Sequence, residues 1–276
     1  MVELDQDPLV AWLTSLRQGR YREAEARLRA RELIGKPESR EVLAAVRILL
    51  AWKEALLSRQ YAAALELLAA DLSPLAAYVS SQDIAEGTKS LLQVIPELEE
   101  VDPGPDLEEL RRELAPALDC PQTCAEAHNV LGVAAALRQD GPQARLEFEA
   151  AVAADPEHYR ALTNLGNIRL QDGLVSEAEG LYRRAIAINP QHAVAHNNLA
   201  VVLRRQGHLA ESVRALRASQ RLAQRSWQQR SREQLRQRLG RRGPGQPSGA
   251  RPAALRSWLY PLLAVLLALA LAWRFR

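Results

Sequence analysis

The feature that most constrains this chain is a spacing of 34 residues that recurs through residues 125–225. Leu131-Gly132, Leu165-Gly166 and Leu199-Ala200 stand one period apart. On the same ruler Ala144 falls over Ala178 and Ser212, Phe148 over Tyr182 and Leu216, Ala151 over Ala185 and Ser219, and Pro156 over Pro190. The third copy keeps small residues and an apolar Leu216, but Gln224 stands where the proline should be. A fixed period of this length marks stacked units, none of which can bury its apolar face alone. The columns describe a helix–turn–helix unit. Gly132 and Gly166 place a small residue on the first helix, where the second must come close, and Ala144 and Ala178 are the matching small positions. Phe148 and Tyr182 are knobs that fill the space between neighbours. Asp155-Pro156 and Asn189-Pro190 are expected to end one unit and open the next, with Asp or Asn as N-cap and Pro in the first turn.

These columns resemble the tetratricopeptide repeat, over about 100 of the 276 residues. The resemblance implies an all-α, helix–turn–helix solenoid, with a repeat domain over 120–224 and repeats at about 125–158, 159–192 and 193–226. It also implies a scaffold or adaptor that binds partner proteins or peptides. The column that is often Trp in that family holds His128, Leu162 and His196 here. In some such superhelices an asparagine column on the first helix lines the concave groove and grips the backbone of an extended peptide. Asn164 and Asn198 occupy that column, and Asn129, Asn167 and Asn197 lie nearby, while Val130 interrupts it in the first repeat. An amide suits the task because it both donates and accepts; the plainer alternative is a polar, exposed helix face. On the groove reading the peptide-binding residues are Arg160, Asn164, Asn167, Asn198 and Arg205, and the ligand is an extended, partly acidic peptide. The basic clamp by which some relatives hold a terminal carboxylate is not matched, since Val194 and Asn198 stand at its positions.

Residues 1–119 form a degenerate helical region. The stretch around Tyr21 and Ala24 is echoed 40 residues later around Tyr61 and Ala64, with a long apolar-periodic helix from Glu41 to Leu57 between them. Residues 8–72 therefore read as two repeat-like hairpins or as a non-repeating helical cap. Pro96 to Pro105 reads as a break, and Asp106 as the N-cap of a helix to about Leu118. Met1 to Pro8 has no apolar run of a secretory signal. The 2 cysteines give no disulfide framework.

Charge is strongly asymmetric. Residues 1–119 carry 22 acidic and 14 basic groups, whereas residues 214–276 carry 1 and 14. The last repeat's second helix is expected to run on from Leu209 towards Leu239 as an arginine-rich extension, followed by a Gly/Pro/Arg linker, together residues 225–256. Residues 257–273 then read as a single C-terminal transmembrane helix. Trp258 to Trp273 is uncharged and rises about 24 Å, with interfacial aromatics at its ends and Arg256 and Arg274 placed to snorkel. Nine arginines between Arg225 and Arg256, against 2 after Trp273, place the repeat domain on the cytoplasmic side of a tail-anchored protein. The membrane expected is a bacterial inner membrane, or in a eukaryotic cell the mitochondrial outer membrane or the endoplasmic reticulum. Arg230, Arg232, Arg236 and Arg238 are candidates for binding anionic lipid headgroups. Nucleic-acid association through 214–242 is the alternative from charge alone, without a recognition module beside it.

No phosphate loop, nucleophile elbow or His-Glu-x-x-His motif is present. Neither an enzyme nor a bound cofactor is expected. Cys120, Cys124 and His128 follow each other at four-residue steps, which on one helix would align three metal-capable groups. Pro121 and an expected N-cap at Thr123 place Cys120 before that helix, so small buried thiols are the reading preferred and no metal site is expected.

Overall fold

The structure, a computed structural model, describes residues 11–240 apart from 18, 33–38 and 101–105. Helix α1 (Ala11–Arg17) turns back as α2 (Tyr21–Glu32), and α3 (Ser39–Leu57) turns back as α4 (Tyr61–Leu67). A 3-10 turn at Ser73–Leu75 leads to α5 (Ser81–Glu100) and the short helices α6 (Leu107–Glu113) and α7 (Ala115–Asp119). Three more hairpins follow: α8 (Cys124–Leu137) with α9 (Gly141–Ala154), α10 (Tyr159–Gln171) with α11 (Val175–Ile188), and α12 (Ala193–Arg205) with α13 (Leu209–Gly240). No strand occurs among the described residues. The chain divides into two units, Met1–Ala223 and Gln224–Arg276.

Each of these hairpins closes in the same way. The first helix ends on a residue in the left-handed region: Gly19 (φ 68°), Arg59 (58°), Gln139 (62°), Gly173 (81°) and Gly207 (84°). The amide that follows reaches back five residues, Arg20 to Ser15 O (2.8 Å), Gln60 to Ala55 O (2.9 Å), Asp140 to Ala135 O (3.0 Å), Leu174 to Arg169 O (2.9 Å) and His208 to Leu203 O (2.8 Å). These bonds satisfy carbonyls that a helix C-terminus otherwise leaves bare. The shared turn puts the N-terminal hairpins in register with the repeats. Counted from it, Ala24 and Ala64 match Ala144 and Ala178, and all four are fully buried. Trp12 and Trp52 match Gly132 and Gly166, while Leu28 and Leu68 match Phe148 and Tyr182. Bulk has moved from the second helix to the first.

Close approach explains the glycines of the repeats. A β-carbon on Gly132 would lie 2.5 Å from Phe148 Cε1, and one on Gly166 would lie 2.6 Å from Tyr182 Cε1. In the third hairpin the knob is the slimmer Leu216, and Ala200 is accommodated. A continuous apolar core runs from Trp12 in α1 to Ala134 in α8, so the first repeat shares its core with the N-terminal helices.

Three boundaries differ from the sequence expectation. Asp155 and Asn189 are not N-caps. Each is the extended residue that ends a helix, as a following proline requires, and its side chain accepts from the amide two residues on (Glu157, 3.1 Å; Gln191, 3.0 Å). The next helices open later, after His158 and His192. Pro96 does not break the chain, since α5 continues through it to Glu100. Asp106 does cap α6, accepting from Glu108 and Glu109, but the helix stops at Leu114 because Pro116 opens a new one. Asp7-Pro8, expected from the sequence to open the first helix, and Gly35, expected to close the second, lie outside the described residues.

Candidate peptide-binding groove

On α10, Arg160, Asn164, Asn167 and Gln171 follow the helical period and share one stripe. One period earlier the stripe of α8 carries Glu126, Val130, Val133 and Leu137, with Asn129 beside Val130, and one period later that of α12 carries Val194, Asn198, Val201 and Arg205. Amides link these stripes. Asn164 Nδ2 donates to Asn129 Oδ1 at 2.9 Å, and Asn198 Nδ2 donates to Asn167 Oδ1 at 2.7 Å. Tyr182 also donates to Asn167 Oδ1, at 2.8 Å. Asn129 is fully buried, so its amide is a structural support beneath Asn164 rather than a contact surface. Beside these pairs lies an open cavity of about 480 Å³, walled by Val133, Ala136, Leu137 and Ile168 and edged by Asn164, Asn167 and Gln171. Its lining contains no charged side chain. The ring of Phe148 reaches its floor, while Tyr182 is fully buried.

The two arginines expected in this groove behave differently. Arg160 is not an available cation. Its guanidinium donates to Glu126 Oε1 at 2.7 Å, and the pair is buried, 11% and 0% exposed at the side chains. Tyr61 Oη donates to the same oxygen at 2.8 Å, and His158 Nε2 meets Glu126 Oε2 at 2.8 Å. His158 Nδ1 accepts from the Ala161 amide at 3.0 Å, so its proton sits on Nε2 and the imidazole donates to the carboxylate. Burial pushes the Glu126 carboxyl up, but the Arg160 charge and the His158 and Tyr61 hydrogen bonds outweigh it and hold it at about 2. Arg205 is exposed in the last turn of α12. Burial raises the Tyr182 phenol to about 12, against the opposing charge of Arg205.

The cluster around Glu126 closes one end of the α8–α10 stripe with the N-terminal hairpin. Lys53 pairs with Asp155 at 2.9 Å, and Tyr159 Oη donates to Leu57 O at 2.8 Å. A second buried carboxylate, Glu147, ties α9 to α6 through Arg111 and to α8 through His128 Nδ1 at 2.8 Å. Sequence reasoning missed both carboxylates. The signal was present: Glu126 stands one period before Arg160, and residues one period apart on neighbouring first helices face each other.

His128 is thus committed to Glu147, and it does not join the cysteines. Buried Cys120 donates to Gln122 Oε1 at 3.2 Å, and Cys124 donates to Pro121 O at 3.4 Å. Burial raises the Cys124 thiol above its ordinary value. Thr123 does precede α8, but its hydroxyl donates back to Ala117 O at 2.8 Å instead of capping the helix. Of the four lipid-binding candidates only the Arg232 side chain is described, and it is exposed; those of Arg230, Arg236 and Arg238 lie outside the described residues, as does segment 257–273. Among the described residues no helix is long and apolar enough to cross a membrane.

Stacked antiparallel helix pairs with a common turn, a small-residue contact and an amide-lined inner stripe define an α-helical hairpin-repeat protein. A tetratricopeptide repeat family model matches residues 138–193 and a second matches residues 181–214, so the array over these residues is of tetratricopeptide type. The chain is 36% identical over 101 residues to human tetratricopeptide repeat protein 7B; the match takes in 34% of this chain and 12% of that protein. Among solved structures, a crystal structure of MamA is similar at 17% identity, covering 63% of this chain and 95% of that one with a TM-score of 0.43. A second MamA structure, MamA MSR-1, is 19% identical over 67% of this chain and 99% of that one, with a TM-score of 0.40.

Proposed function

We propose that the chain is a membrane-anchored, non-enzymatic adaptor that holds an extended segment of a partner protein along the α8–α10–α12 stripe. The observation that carries this reading is the pair of cross-helix amide bonds, Asn129–Asn164 and Asn167–Asn198, beside the open cavity. Asn164 and Asn198 each spend one N–H on a neighbouring helix, which fixes the amide and leaves its carbonyl oxygen to accept from a ligand's backbone N–H. Asn167 keeps its own NH₂ as a donor. Such groups bind a backbone of any sequence. Because Arg160 is neutralised by Glu126 and the cavity wall is apolar, the partner segment is neutral and apolar where it meets Val133, Leu137 and Ile168. The partly acidic ligand that the sequence suggested is withdrawn for this part of the stripe; only the end near Arg205 favours a carboxylate.

The anchor is residues 257–273, supported by their composition and by the bracketing aromatics and arginines, with the repeats on the cytoplasmic side. Arg230, Arg232, Arg236 and Arg238 then lie where anionic headgroups would meet them. Site-directed photo-crosslinking in native membranes tests the groove. A photoreactive residue at Ala136, in the cavity wall, should give partner adducts; one at Leu146, 59% exposed on α9 and outside the cavity, should give none. Equal adducts at both positions, or adducts at Leu146 alone, would exclude the groove.

A further inference from the structure

A stacked array leaves one face uncovered at its last unit, and among the described residues that face lies on α13. In the first two hairpins the large knob of the second helix is covered by the next first helix. Phe148 packs with Leu165 and Ile168 of α10, and Tyr182 with Leu199 and Val202 of α12; the knobs are 2% and 0% exposed. Their counterpart Leu216 has no following helix over it among the described residues and is 40% exposed. Val213 and Leu209 on the same stripe are 45% and 63% exposed. These three recur at i, i+4 and i+7, an apolar strip the width of one helix. One position further along, Gln220 stands where the earlier hairpins carry Val152 and Ile186. The strip therefore ends in a polar residue, as suits a single covering helix rather than another repeat.

The flank of the strip gives the sign of its partner. At 100° per residue Arg214, Arg217 and Arg221 form a row directly beside Leu209, Val213 and Leu216, on the side away from buried Ser212, Ala215 and Ser219. All three arginines are exposed, and no ion pair engages them among the described residues; Arg221 Nε turns to the Arg217 carbonyl at 3.2 Å. Glu211, the acid nearest in sequence, is taken by Arg183 at 3.3 Å. Two copies of this face would oppose arginine to arginine, which disfavours self-association through it. We infer that the Leu209–Arg221 face of α13 is a second docking site, one that takes an amphipathic helix of a partner protein with an apolar seam and Asp or Glu along one edge. This site is separate from the amide-lined stripe and does not depend on it.

Fluorescence anisotropy with the full-length chain in mild detergent tests the inference. The probes are two helical peptides of about three heptads, both with Leu at the seam positions, one flanked by Glu and the other by Lys. The Glu peptide should bind at least about ten-fold more tightly than the Lys peptide, and its affinity should fall as salt rises. Leu216→Glu should weaken it by at least about ten-fold. So should the triple change of Arg214, Arg217 and Arg221 to Gln, which alters only exposed side chains, so the test does not rest on Leu216→Glu folding. Asn198→Ala should leave it unchanged. Equal binding of the two peptides, or Glu-peptide binding untouched by either α13 variant, overturns the inference. So does a chain that ignores both peptides but binds anionic vesicles through these arginines.

Discussion

Glu126 and Arg160 stand 34 residues apart in sequence and meet at 2.7 Å, with the carboxylate sealed from water and the guanidinium largely so. The pair joins two repeats, and through Tyr61 it also joins them to the N-terminal hairpin. Removing one partner leaves a buried charge uncompensated. Glu126→Gln should therefore destabilise the protein by about 3–5 kcal/mol in urea denaturation. Replacing both residues, as Glu126→Gln with Arg160→Met, should recover part of that loss. If the double variant is as unstable as both single losses added, the two residues are not coupled.

The same pair sets a pH dependence. The Glu126 carboxyl lies at about 2 in the folded protein against an ordinary 4.5, so its contribution is complete above 4.5 and is lost as pH falls towards 2. His192 acts in a separate window. Burial, with the charges of Arg160 and His196, lowers its imidazole from 6.5 to about 4. The unfolded chain takes up that proton first, so stability falls as pH drops from 6.5 to 4. Thermal melts across pH should show both steps. His192→Gln should remove the upper one and keep the lower, and a variant that keeps the upper step would assign it to another group.

Gly166→Ala should cost about 1–3 kcal/mol, because the new methyl meets the Tyr182 ring. Tyr182→Ala should cost about 3–5 kcal/mol by leaving a cavity. Gly166→Ala combined with Tyr182→Leu recreates the Ala200–Leu216 pairing of the third hairpin. It should be more stable than the sum of its two single changes predicts, and strict additivity in chemical denaturation would argue against the contact.

Arg59 and Gln139 hold left-handed backbone without being glycine, whereas Gly173 and Gly207 hold the same turn freely. Gln139→Gly should stabilise the fold by about 0.5–1 kcal/mol, the relief of the left-handed conformation less the entropy that glycine adds to the unfolded chain. Gly173→Ala should destabilise it by about 1 kcal/mol. Calorimetric melting temperatures moving in the opposite directions would show that the shared turn is not strained.

What the sequence made legible, and what it hid, follows from where each constraint acts. The columns Gly132/Phe148 and Gly166/Tyr182 were readable because a tight contact between two helices demands one small and one large residue at fixed spacing. The N-terminal hairpins were only half readable, since Trp52 and Leu68 exchange those sizes and the two turns are closed by Gly19 and Arg59, with no common residue type. Asp155-Pro156 looked like a helix start because Asp and Pro favour both an N-cap and an extended turn; the extended backbone before proline decided it. The asparagine column was readable repeat by repeat, yet the pairing of Arg160 with Glu126 required reading two repeats together. The anchor segment 257–273 lies outside the described residues.

The binding site itself is tested most directly by calorimetry. A synthetic peptide matching the segment crosslinked at position 136 would be titrated into the parent and into Ala136→Trp, which fills the cavity from an exposed position without removing a core contact. Affinity should be at least about ten-fold weaker in the variant, with an unchanged melting temperature. Equal affinity in both proteins would contradict this and move the partner off the α8–α10–α12 stripe.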